Sequence, residues 1–210
     1  SYIIIDNCSF YYIGGSYQLT NESTVRYGNG VEVWDNAHDF IVKNSYFEQC
    51  YDEAITNQGT DAEQYNIDYI NNIFKDTHLG ISIWLDDSGT MHDINISHNT
   101  GLNSGGEWSY DERPDKRAEI IGLAETENVE VYNIYVMDNI FYESTEYLLK
   151  KFIFFDDSTN VIVGNNLYYQ PNPTNTLFKY DEVKYDISEF SELAKRNKLS
   201  VVLVKPFELF

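Results

Sequence analysis

The chain has 210 residues, a formal charge of −20 and 16% aromatic residues. That length is enough for one sizeable core, and the charge argues against nucleic acid or an anionic membrane surface as partner, since both would repel it. No apolar run approaches a membrane span. Residues 1–100 hold only Arg26, Lys43 and Lys75 against 15 Asp and Glu, and the other 11 basic residues lie from Arg113 onward.

The chain opens on a phrase that it then repeats. The small polar marks Cys8, Ser45, Asn72, Asn99, Asn139 and Asn166 stand 37, 27, 27, 40 and 27 residues apart. Five and three places before them are Ile3/Ile5, Phe40/Val42, Ile67/Tyr69, Ile94/Ile96, Ile134/Val136 and Val161/Val163. Two places after them are Phe10, Phe47, Phe74, Gly101, Phe141 and Tyr168, so only Gly101 interrupts the apolar columns. A period of about 27 residues predicts a solenoid in which each coil adds one rung and like side chains stack about 4.8 Å apart. Asn at the mark is expected to bend the chain through a left-handed residue and to pass amide hydrogen bonds along the stack. Subtracting the period from the two long steps leaves insertions of 10 and 13 residues in Gly14–Gly30 and Asn103–Arg117. Insertions in solenoids form the loops that carry function.

A second short strand follows in each coil. Val31–Asp35, Ile55–Gly59 and Ile81–Leu85 align if Gly30, Ala54 and Gly80 are the small residues entering it. Period 2 then sends Val31, Val33, Ile55, Ile81 and Ile83 inward and Glu32, Trp34, Thr56, Gln58, Ser82 and Trp84 outward. Ala118–Glu125 is a strand of undecided facing, because Glu119-Ile120-Ile121 fits two registers; Lys151–Asp157 and Leu177–Asp181 supply the last two strands. Pro171 and Pro173 are expected to end regular coiling. Asp186–Asn197 has helical spacing at Ile187, Phe190 and Leu193 with Ser188 as its cap, a helix suited to covering the open end. The domain reading is therefore a solenoid over residues 1–170, short of upstream coils because it opens inside an apolar strand, and a partly helical C-terminal cap over 171–210. Cys8 and Cys50 fall in different columns and are expected to be buried and unpaired, since a disulfide needs Cα atoms within about 7 Å. No Cys or His spacing marks a transition-metal site.

These columns resemble the right-handed parallel β-helix of the pectate-lyase-like superfamily, over about Tyr2–Tyr169. Within it, YGNGVEVWDN followed by YDEAITNQG is similar to secreted, carbohydrate-processing β-helix proteins of bacteria. The resemblance implies an all-β, right-handed parallel β-helix, a polysaccharide or oligosaccharide partner, and a secreted or cell-surface location.

Carboxylates gather where the second strand and its turns line up: Glu32 and Asp35, Asp52 and Glu53, Asp86 and Asp87. Rungs about 4.8 Å apart can bring carboxyl groups to the separations of about 5–5.5 Å or 6.5–9.5 Å that retaining and inverting glycoside cleavage require. The expected catalytic set is Glu32, Asp52, Glu53, Asp86 and Asp87, with Glu53 as general acid and Glu32 or Asp86 as base or nucleophile. Asp39 and Asp61 are left as solvated turn residues. Outward Trp34 and Trp84 offer indoles on which a sugar ring can stack, and Arg26, Gln58 and Trp108 of the longer insertion complete the expected substrate-binding set. His78 is placed in a turn, and His38, His92 and His98 in turns or beside the ladder. No cofactor is expected; calcium held by the oxygens of Asp86-Asp87 or Asp156-Asp157 is the open alternative. The leading expectation is a glycoside hydrolase. A polysaccharide lyase or uronate epimerase would need a cation or a basic group, of which residues 1–100 offer few. The rival of a different class is a glycan-binding solenoid without catalysis, an adhesin or phage-type spike.

Overall fold

The computed structural model describes residues 2–17, 26–111, 118–123, 128–151, 160–171, 178–180, 183–186, 188–190, 192 and 201–203. The chain visits three sheets in turn. Sheet 1 contains Ile3–Asp6, His38–Lys43, Thr60–Ile70, Asp86–Ser97, Asn128–Met137 and Val161–Gly164. Sheet 2 contains Ser9–Tyr11, Tyr46–Glu48, Ile73–Lys75, Thr100–Ser104, Ile140–Ser144 and Asn166–Tyr169, and sheet 3 contains Val31–Trp34, Glu53–Gln58, Leu79–Ile83, Glu119–Leu123, Tyr147–Lys151 and Phe178–Tyr180. Each of these strands pairs in parallel with its counterpart one coil away, so the described residues form an all-β parallel β-helix with six rungs that each contribute a strand to all three sheets.

The register is the one the period predicts. Phe40 pairs with Ile3 and Ile67, Ile94 with Ile67 and Ile134, and Ile134 with Val161. In sheet 2 the Phe10 and Phe47 rings stack 4.6 Å apart, and Phe47 and Phe74 follow at 5.5 Å. Gly101 departs from this column for a steric reason: a Cβ there would lie 2.2 Å from Cγ2 of Ile120, which fills the space of the absent ring. Both registers of Glu119-Ile120-Ile121 are partly realised. Ile120 and Ile121 are both buried, while the Glu119 carboxylate turns to the outer side, where a Cβ on Gly122 would lie 2.6 Å from its Oε2.

The marks do form a ladder. The Asn72 backbone N–H donates to Asn99 Oδ1 (2.9 Å), that of Asn99 to Asn139 Oδ1 (2.9 Å) and that of Asn139 to Asn166 Oδ1 (2.8 Å). Each Nδ2 also donates to a carbonyl of the preceding coil, as Asn99 does to Tyr69 O at 2.8 Å. The left-handed residue, however, is not the mark but the one before it: Asn7, Asn44, Asn71, His98, Asp138 and Asn165 have φ of 52–58°. Asx side chains tolerate this region by bonding locally. A second left-handed column runs along sheet 1, inside the strands at Asp39, Asn66, Asp93 and Asn133 and just before one at Asn160, φ 49–57°, with Asn66 donating to Asp39 and Asn133 to Asp93. Asp39 is thus part of a bend inside a strand, and Asp61 accepts from Ser88 Oγ.

Five further expectations change. His38 and His92 are strand residues of sheet 1, stacked with Tyr65 and Tyr132 into one outer column of nearly parallel rings 4.7–5.2 Å apart. Cys8 is exposed, Cys50 is buried, and both thiols are free. Coiling continues past Pro171 and Pro173, since Phe178–Tyr180 pairs in parallel with Leu149–Lys151 and Val201–Leu203 with Asn166–Tyr168. The coil-5 strand of sheet 3 is Tyr147–Lys151; residues 152–157, including Asp156-Asp157, lie outside the described residues. The helical turn at 188–190 is capped by Asp186, whose Oδ1 accepts from the N–H of Ser188 and Glu189, rather than by Ser188. Glu189 in return accepts from the Asp186 N–H, a capping box.

Candidate active site

On the outer face of sheet 3 the strands bring Glu32 beside Thr56, Thr56 beside Ser82, and Ser82 beside Gly122, with Lys150 next. Two residues further along, Trp34 pairs with Gln58, and the Trp84 N–H donating to Asn57 O places Trp84 at the same position one coil on. Trp34 is 49% exposed, and Trp84 and Gln58 are half-buried. The two indoles therefore face outward two rungs, about 10 Å, apart. Thr56 and Ser82 also point outward but are 0% and 6% exposed, and the Gln58 amide donates to the Thr56 hydroxyl beside it (3.1 Å).

The turn from sheet 2 to sheet 3 forms the adjoining corner. Asp52, Asp76, His78 and Glu119 are the buried carboxylates and imidazole among the described residues, and all four lie on this corner in coils 2–4. Burying such groups is costly unless they are paired. The Asp52 Oδ2 accepts from Gly28 N–H (2.7 Å), Asp76 Oδ1 accepts from Asn103 Nδ2 (2.6 Å), and Glu119 Oε1 holds Lys150 Nζ at 2.9 Å. The longer insertion supplies a roof. Gly105, with φ +76°, carries the chain past Thr145, where a Cβ would lie 1.9 Å from the hydroxyl, and into the short helix Glu107–Asp111. Its Trp108 packs on Tyr12 and Tyr51, centroids 6.0 and 5.8 Å apart, so this indole covers the corner over coils 1 and 2. Tyr110 sits at the coil-5 end; burial and the nearby Glu146 charge push its hydroxyl up.

In coil 5 the corner ends in Glu146, which is half-buried. Burial pushes its carboxyl upward, and the Glu119 charge adds to that, against the Ala118 N–H bond and the Lys150 and Lys184 charges. Lys184 Nζ lies 5.6 Å over the Tyr147 ring, and Lys150, Lys179 and Lys184 follow one another on neighbouring strands of the same outer face.

The structure separates the expected catalytic set. Glu32 is exposed and bound to Asn29 Nδ2 (2.8 Å), while Asn29 Oδ1 accepts from the Glu53 N–H (3.1 Å), so Asn29 ties Glu32 to Glu53. Asp86, exposed, begins a sheet 1 strand opposite Thr60, more than about 15 Å from Glu53 along the strand direction at 3.3 Å per residue. Glu53 and Asp86 thus border opposite ends of the sheet 3 strands. The side chains of Asp87 and Arg26 lie outside the described residues; Arg26 itself pairs with Tyr17 in the hairpin of the first insertion. No group of three or more His, Cys, Asp or Glu among the described residues is arranged to hold a metal ion. The residues that sequence reading missed are Glu119, Glu146, Lys150 and Tyr110, which no shared residue type announces. No family model, curated protein or solved structure matches the chain significantly, so the site is read from its own geometry.

Proposed function

We propose that this β-helix binds a polysaccharide along the outer face of sheet 3 and cleaves it by hydrolysis. The observation that carries this reading is a shared location: Trp34 and Trp84 lie in one outward column, and carboxylates border it. Glu32 is two residues before Trp34, and Gly122, over which the Glu119 carboxylate leans, is one rung and two residues from Trp84, about 8 Å. Exposed indoles give a sugar ring an apolar seat, and paired carboxyl groups supply the proton donor and the ionised partner of glycoside cleavage. Glu32 borders the face in coil 1, and Glu146 borders it in coil 5, one rung from the buried Glu119. Gln58 and the Trp108 insertion extend the binding surface, with Arg26 on the neighbouring hairpin. No cofactor enters this mechanism, and a secreted or cell-surface location follows from a polymeric substrate.

The test is incubation with a glycan panel, read by reducing-end release and by absorbance of unsaturated products, with Kd measured in parallel. Hydrolysis gives reducing ends without absorbance, and Trp34→Ala and Trp84→Ala each weaken binding about tenfold or more. One observation favours the lyase or epimerase reading: Lys150, Lys179 and Lys184 on adjacent strands supply the positive charge that residues 1–100 lack. New absorbance, or calcium-dependent turnover lost on Asp86→Asn, would establish that reading instead. Binding without any product would identify a glycan-binding solenoid.

A further inference from the structure

We propose that Glu146 is the proton donor of this hydrolysis, with Glu119, pinned by Lys150, as its positioning residue. The inference rests on the hydrolytic reading and moves the acid role from Glu53 to Glu146.

The register brings the two carboxylates together. Glu119 pairs with Tyr147, so the Cα atoms of Glu119 and Glu146 are about 6 Å apart, one rung and one residue. Glu119 is held from both sides. Its Oε1 is bonded to Lys150 Nζ at 2.9 Å, with the two side chains 2% and 14% exposed, and its Oε2 occupies the notch that Gly122 leaves on the outer face. A side chain so enclosed is fixed in place, and it is too deeply buried to meet a sugar itself. Glu146 is where this buried line reaches solvent, beside the Ala118 N–H and under the field of Lys184. The enclosure and the Glu119 charge favour a protonated carboxyl there. At the Glu53 corner the buried neighbour Asp52 accepts from the Gly28 N–H, and Asn29 binds the Glu53 backbone and the Glu32 carboxylate.

In the reaction the Glu146 O–H gives its proton to the leaving glycosidic oxygen as the bond from the anomeric carbon breaks. Water adds to that carbon and loses a proton to solvent, from which Glu146 recovers one; the balance is one water consumed per bond.

The experiment compares Glu146→Gln, Glu53→Gln, Glu119→Gln and Lys150→Met on a glycan that the wild type cleaves, with circular dichroism to verify folding. Glu146→Gln should lower kcat about 100-fold or more with glycan Kd within about threefold, and Glu53→Gln should keep kcat within about threefold. In the pH profile of kcat/KM, Glu119→Gln should move the alkaline limb to lower pH and Lys150→Met to higher pH, since one removes the charge that holds the proton on Glu146 and the other a charge that opposes it. If either variant fails to fold, Glu146→Gln against Glu53→Gln still decides. Wild-type kcat in Glu146→Gln, or its loss in Glu53→Gln instead, overturns the assignment. A wild type that binds glycan without cleaving it overturns the assignment and leaves the binding reading standing. A wild type that binds no glycan overturns both.

Discussion

At the turn from sheet 1 to sheet 2, coils 3 to 6 place the same residue, Asn72, Asn99, Asn139 or Asn166, and each amide bonds the next. At the turn from sheet 2 to sheet 3, coils 2 to 5 place Asp52, His78, Ala118 and Glu146, with no type repeated. The first turn repeats one uncharged side chain whose amide is satisfied within the ladder; the second carries charge at non-repeating positions and takes up both insertions. A solenoid contacts only its neighbours, so a corner that repeats can hold the stack together. That leaves another corner free to vary coil by coil, and chemistry collects where repetition stops.

The comparison breaks most readily at the ladder. Asn99→Leu strands the Asn72 N–H and the Tyr69 carbonyl inside the core; at about 1–3 kcal/mol for each unsatisfied group, urea denaturation should show a loss of about 4 kcal/mol. At the charged corner, Glu119→Ala leaves Lys150 without its carboxylate and should cost about 3 kcal/mol, whereas Glu119→Met with Lys150→Met should recover most of it, because a buried ion pair contributes little beyond its own desolvation. Gly101→Ala sets a methyl 2.2 Å from Ile120 and should cost about 2 kcal/mol, relieved by Ile120→Ala if the two residues share one space.

The smallest expected effect is on pH dependence. Glu146 has its proton affinity raised from an ordinary value of 4.5, so the folded state keeps a proton that the unfolded state has lost. This contribution to stability is present in full below the ordinary value and is lost as pH rises through the raised one. Asp93, held down by His92 and Asn133, acts in the opposite sense, its contribution being lost as pH falls. Thermal melts between about pH 4 and pH 7 should therefore show Glu146→Gln gaining on the wild type as pH rises; parallel curves would remove Glu146 from the account.

What was legible follows the same division. The period and the apolar columns were open to reading because every coil repeats them. The left-handed position was misplaced by one residue because Asn occupies both candidate sites at 71–72 and 165–166, and composition cannot say which one bends. The outer ring column was available, since His38, Tyr65, His92 and Tyr132 keep the ladder's own steps of 27, 27 and 40, but mixed ring types hid it. Glu119 and Glu146 could not be aligned because the long insertion precedes one of them and Ile120 doubles the inward positions beside it. Only the fold shows Gly101 making room for that isoleucine.

The asparagine ladder also has a direction. Every backbone N–H in it points toward the next coil and every amide oxygen points back, so the bond dipoles add along the axis instead of alternating as they do across a sheet. Each link polarises the next, and Asn72, Asn99 and Asn139 each accept from an amide N–H on one side and donate to an amide oxygen on the other. Toward coil 1 the series fades through a hydroxyl at Ser45 to a thiol at Cys8, whose sulfur turns to the Asp6 carbonyl instead. Sulfur is a weak acceptor, so among the described coils the mark is a weaker link at Cys8 than at any of the asparagines.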